Sequence, residues 1–185
     1  GDSGAHTFTN GFTLVTAGSR TVTATDTVTS SITGTSDSIT VNPGSATHLV
    51  VSAPGTATAG TAFTVTVTAK DAYENTATGY LGTVHFSSTD SGSSVVLPSN
   101  YGFVAGDSGA HTFTNGFTLV TAGDWTVTAT DTVTGTITGT SGTITVSPAA
   151  ATHLVVSAPS TATAGTAFSV TVTAKDAYEN TATGY

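Results

Sequence analysis

Phe63-Thr64-Val65-Thr66-Val67-Thr68-Ala69-Lys70 alternates an apolar residue with a polar one through its whole length. Successive side chains of an extended strand point to opposite faces, so this stretch puts Phe, Val, Val and Ala on one face and the threonines on the other. Trp125-Thr126-Val127-Thr128-Ala129-Thr130 repeats the scheme. Threonine is β-branched and suits a pleated surface, and here it supplies the wet face. Working outward from these two runs, the pattern predicts strands at about 47–53, 61–70, 81–88, 93–97, 109–120, 124–133 and 136–146. Turn residues separate most of them, including Pro54, Gly60, Gly79, Gly92, Gly106 and Gly123. No 3.6-period stretch of helix length appears, which excludes the α/β classes.

The same signals recur at a fixed distance. Gly1-Asp2-Ser3-Gly4-Ala5-His6 returns as Gly106-Asp107-Ser108-Gly109-Ala110-His111, an offset of 106 − 1 = 105, and the match runs on to Tyr80 and Tyr185. Over those 80 aligned pairs 11 differ and 69 are identical. A period this long is a whole domain rather than a solenoid turn. The joints fall at Val41-Asn42-Pro43-Gly44-Ser45 and Val146-Ser147-Pro148-Ala149-Ala150, where proline stiffens a short connection. Residues 1–45 then form the back part of one unit, 46–150 a complete unit, and 151–185 the opening of a third. The first piece lacks four strands and the last supplies only two, so neither is expected to bury a core alone. The chain reads as a window on a longer array. Most exchanges between copies are of turn type, such as Ser19/Asp124 and Gly55/Ser160. Arg20/Trp125 is the exception, and an arginine there requires a position at the rim of the core.

Composition narrows the function. Only 8% of residues are charged, and the net charge of −8 leaves Lys70, Lys175 and Arg20 as the only lysines and arginine. Three cations cannot neutralise a phosphate backbone or hold an anionic membrane surface, so nucleic acid is excluded as a partner. No apolar run approaches the ~20 residues of a spanning helix, and no signal peptide is visible. The absence of cysteine excludes disulfides and thiolate metal sites. Glutamine is absent too, so neither an internal Cys–Gln thioester nor a Thr–Gln ester can form. The 45 threonines keep the surface hydrated in place of charge.

The run Thr64 to Asn75, followed by Gly82-Thr83-Val84-His85-Phe86, resembles bacterial Ig-like repeats of the invasin/intimin type and, more distantly, filamin-type domains. Gly109-Ala110-His111-Thr112-Phe113, continuing through Thr121 to Ala129, resembles the later strand pair of the same families. The resemblance implies an all-β, Ig-like antiparallel β-sandwich of about seven strands per unit, used as a spacer or binding module in large surface proteins. It carries no catalytic residues across. Glu74 departs from the pattern, since such repeats often have glycine there.

Candidate sites are few. Asp71, Glu74 and Asn75, repeated as Asp176, Glu179 and Asn180, cluster oxygens that a hard cation such as calcium takes, alone or with Asp107 or Asp131. The plainer reading is a turn in which Asp71 bonds its own backbone. Lys70 beside carboxylates could form a Lys–Asn crosslink only if buried with a lowered pKa, and a solvated ion pair fits a strand end better. His6, His48, His85, His111 and His153 stand singly and read as structural. No nucleophile, base and orienting group fall together. The Thr21-Val22-Thr23-Ala24-Thr25 run has the look of an ice-binding array but fits the wet face of a strand. Tyr73, Tyr80, Phe86 and Tyr101 are scattered, and no aromatic platform for a sugar is evident.

These observations lead to a non-enzymatic segment of an extracellular or cell-surface stalk, adhesin shaft or filament, without cofactor or metal. Its expected partners are neighbouring repeats stacked end to end or self-assembling, together with a cell-surface or glycan ligand. The alternatives are a carbohydrate- or ice-binding module and an accessory domain of a secreted enzyme.

Overall fold

A computed structural model describes all 185 residues. Sixteen strands follow one another with no α-helix. β1 (Gly18–Arg20), β2 (Thr23–Thr25), β3 (Thr33–Thr35) and β4 (Ile39–Val41) lie in the first piece. The central unit holds β5 (His48–Ser52), β6 (Thr56–Thr58), β7 (Phe63–Lys70), β8 (Thr83–Ser88) and β9 (Tyr101–Gly102). It continues with β10 (Ala110–Phe117), β11 (Gly123–Trp125), β12 (Val127–Asp131), β13 (Thr138–Thr140) and β14 (Ile144–Ser147). β15 (His153–Ser157) and β16 (Thr171–Lys175) form an antiparallel pair in the last piece.

The central unit is a two-layer all-β sandwich. One layer is β10-β7-β5, entirely antiparallel. The other runs through β11-β14-β6 and β13-β12-β8-β9. These two ladders continue into each other because β11 leads into β12 and β13 into β14. At the interruption the Ser141 hydroxyl accepts the Val127 N–H at 3.0 Å, while the Ser141 N–H donates to the Val127 carbonyl at 2.8 Å. The hydroxyl thus stands in for a missing ladder carbonyl.

The alternation of β7 puts Val65, Val67 and Ala69 fully inside and leaves Thr64 outside. They meet Val84 and Phe86 of β8, Val127 and Ala129 of β12, and Ile144 and Val146 of β14. Phe86 lies edge-on to Phe113 and Phe117, with centroids at 4.8 and 5.2 Å, a favoured aromatic geometry. Outside, threonines pair across strands. Thr128 meets Thr140 at 2.9 Å, Thr130 meets Thr138 at 2.8 Å and Thr66 meets Thr112 at 2.9 Å.

One expected strand is missing and two unexpected ones are present. Residues 93–97 form no strand. Val95 closes a turn onto the Gly92 carbonyl, and pairing is limited to a bridge between Val96 and Thr118. Thr56–Thr58 is an added strand that runs parallel to β14, so the sandwich is not purely antiparallel. Three residues of Thr-Ala-Thr carry too little apolar contrast to announce themselves. Tyr101–Gly102 is a short strand beside β8.

The end pieces show what closure requires. Phe12 is 62% exposed, whereas its counterpart Phe117 is 0% exposed. Ile39 and Phe168 are likewise exposed where Ile144 and Phe63 are buried. Arg20 and Trp125 occupy the same rim. The Arg20 guanidinium donates to the Thr16 carbonyl at 3.1 Å and the Trp125 indole N–H to the Thr121 carbonyl at 2.6 Å. Arg20 also donates through Nη2 to the Ala17 carbonyl at 2.9 Å, but the bond to the corresponding peptide oxygen is common to both, which explains how so unlike a pair can interchange.

The two layers meet closely where β5 crosses β13. A Cβ on Gly139 would collide with the Leu49 carbonyl, whereas one on its counterpart Gly34 meets nothing within 4 Å. Gly139→Ala is therefore expected to cost about 1–3 kcal/mol in chemical denaturation, as overpacking does. Gly34→Ala should change stability by less than about 0.5 kcal/mol.

Candidate inter-repeat interface

The turn Asp71-Ala72-Tyr73-Glu74-Asn75 stands at the end of β7, facing the piece that precedes the central unit. Asp71 is 2% exposed, and both its oxygens are committed. Oδ1 accepts the N–H groups of Tyr73 at 2.8 Å and Asn75 at 2.9 Å. Oδ2 accepts the Gly44 N–H of the joint at 2.8 Å and the Asn75 side-chain amide at 2.9 Å. Burial alone would raise the Asp71 pKa. The Asn75 amide and the N–H groups of Gly44, Tyr73 and Asn75 outweigh it and pull the carboxyl down to about 2.

Asn75 makes the second connection. Its Nδ2 donates to the Val15 carbonyl and its Oδ1 accepts the Ala17 N–H, both at 2.8 Å. One planar amide thus satisfies an acceptor and a donor two residues apart, on a loop of the preceding piece. Aspartate would lack the donor, and glutamine would overshoot. The arrangement recurs one period later. Asp176 accepts from Ala149, Tyr178 and Asn180, and Asn180 grips the Val120 carbonyl and the Ala122 N–H, each at 2.8 Å.

The residues considered for calcium do not converge. Four hydrogen bonds occupy Asp71, and Asn75 faces the neighbouring loop. The Glu74 carboxylate points elsewhere, 3.2 Å from His48 Nε2. Asp107 accepts from Val104 and His111, each at 2.8 Å, and from Tyr101. Asp131 accepts from Val133 and Thr134 at 2.8 Å and from the Tyr80 hydroxyl at 2.6 Å. Burial and the Asp131 carboxylate push the Tyr80 phenol well above its ordinary value.

Lys70 also departs from expectation. Its ammonium donates to the Glu74 carbonyl at 3.2 Å and to Thr76 Oγ1 at 3.3 Å, so it caps the turn instead of pairing with a carboxylate. The histidines are separate, each with its own partner. His6 meets Asp2, His85 meets Asn100, His153 meets Glu179, and His111 stacks on Tyr101 at 3.9 Å. The role of Asn75 and Asn180 in gripping a loop was not legible in the sequence. Their partners lie about 60 residues away. The one available signal was that Val15-Thr16-Ala17 and Val120-Thr121-Ala122 are identical between copies, as are the two turns.

The class these features define is an all-β sandwich with a polar clasp at each end, the two clasps one sequence period apart. No family model matches the chain, and no curated protein is significantly similar to it. Among solved structures it is similar to the Escherichia coli adhesin FdeC, at 26% identity and a TM-score of 0.47. That match covers 80% of this chain and 47% of the solved chain, so this chain spans about half the length of the structure it resembles.

Glu74 and Glu179 sit at φ 65°, in the left-handed region that favours glycine. Glu74→Gly should raise stability by up to about 1 kcal/mol in urea titration, because the exposed pair with His48 contributes little. The clasp also has an acid limit. The folded-state pKa of Asp71 is depressed, so its contribution is complete above the ordinary value of 3.8 and is lost as pH falls through about 2. The Gly44 amide resonance should report this loss in an acid titration, shifting over that window and staying constant from pH 5 to 7.

Proposed function

We propose that this chain is a segment of an extracellular or cell-surface stalk, adhesin shaft or filament, with a mechanical rather than a catalytic role. The observation that carries the reading is the recurrence of the clasp. Gly44, Asp71, Asn75, Val15 and Ala17 at one joint correspond to Ala149, Asp176, Asn180, Val120 and Ala122 at the next. Joints held by the same hydrogen bonds would orient successive units alike, and a spacer gains length from regular addition. A short proline-containing link and a hydrogen-bonded turn leave little freedom between neighbours. The few charges and the threonine-paired outer faces suit an exposed, hydrated rod without an ionic partner.

Strand β11 and β12 together span Gly123–Asp131, so a unit advances the rod by at least ~30 Å. Electron micrographs of the parent protein should show a thin thread with a regular period of that order or longer. Small-angle scattering of this chain should give an elongated profile. A compact globule in either measurement would refute the spacer reading.

A further inference from the structure

The loop Thr118–Ala122 of the central unit is held from several sides. The Leu119 carbonyl accepts the Gly60 N–H at 2.9 Å. The N–H groups of Val120 and Thr121 both donate to Asp90 Oδ2, at 2.8 and 3.0 Å. Trp125 takes the Thr121 carbonyl. The Val120 carbonyl and the Ala122 N–H go to Asn180, which belongs to the following repeat. Leu119 and Val120 are buried, so this loop is continuous with the sandwich core.

A second contact supports the same docking. Gly60, at φ 76° in the turn before β7, leaves room against which the Tyr178 ring of the following repeat packs; a Cβ there would strike that ring. Tyr178 is 36% exposed, whereas Tyr73, at the other joint, is 62% exposed. Asn180 is 9% exposed, so its amide is held where water cannot readily replace it.

We propose that the Asp176–Asn180 turn is a docking element whose partner is the 118–122 loop and Gly60 of the repeat before it, and that this contact couples the folding stability of adjacent repeats. The proposal rests on the array reading above, and it adds that neighbours stabilise one another rather than merely touch. Removing the Asn180 amide leaves a buried carbonyl and a half-buried N–H without partners, and that cost falls on the preceding repeat. Coupling of this kind is reciprocal, and it makes a stack behave as a one-dimensional cooperative chain. The chemistry required of a following unit is an Asp-x-Tyr-x-Asn turn, and that of a preceding unit is glycine at the position of Gly60.

Native-state hydrogen exchange on the whole 185-residue chain tests this. The Ala69 N–H, bonded to the Gly109 carbonyl, lies at the pole of the central unit remote from Asn180, and the Val127 N–H lies within its core. Asn180→Ala should accelerate exchange at Ala122, Ala69 and Val127 by about tenfold or more. Tyr178→Ala should act in the same direction, and Thr161→Ala, at an exposed site of the last piece outside the turn, should leave all three unchanged. Acceleration confined to Ala122 would overturn the coupling, because the repeats would then be independent, while an elongated scattering profile would still support the spacer. Fast exchange at Ala122 in the unmodified chain would also overturn it.

Discussion

Phe117 lies in the core because Phe63 of β7 and Phe86 of β8 pack on it, with ring centroids at 6.0 and 5.2 Å. A strand pair can bury neither of its faces by itself, and the apolar face of each β-layer here is covered only when the other is complete. Every other feature of the structure depends on that closure. It fixes where the turns project, and so where one unit can grip another.

Carboxylates in this protein act mainly as receptors for backbone N–H groups. Asp71, Asp90, Asp131 and Asp176 are all buried, and all are bonded to peptide N–H groups of turns or of a neighbouring loop. A buried charge is tolerated when hydrogen bonds replace its hydration, and the depressed pKa values of these groups express that replacement. With so few lysines and arginines available, hydrogen bonding rather than ion pairing organises the loops. Lys70 conforms to the same economy, since its ammonium goes to a carbonyl.

Side-chain identity at the joint follows from what must be satisfied there. An asparagine amide offers a donor and an acceptor in one plane, which matches a carbonyl and an N–H two residues apart. Arginine and tryptophan are interchangeable at the rim because each offers an N–H to the same peptide oxygen. Gly60 and Gly139 are set by close approach, one to a tyrosine ring of the next unit and the other to the backbone of β5.

Alternation along Phe63–Lys70 and Trp125–Thr130, the 105-residue period and the prolines at the joints were legible in the residues themselves. Such signals act between neighbours in the chain, where the pleat and fixed dihedrals impose them directly. The parallel pairing of Thr56–Thr58 with β14, the loss of a strand at 93–97 and the grip of Asn75 and Asn180 were decided by the tertiary structure. Each depends on groups tens of residues apart being brought within 3 Å, and no local pattern records which carbonyl will be waiting there.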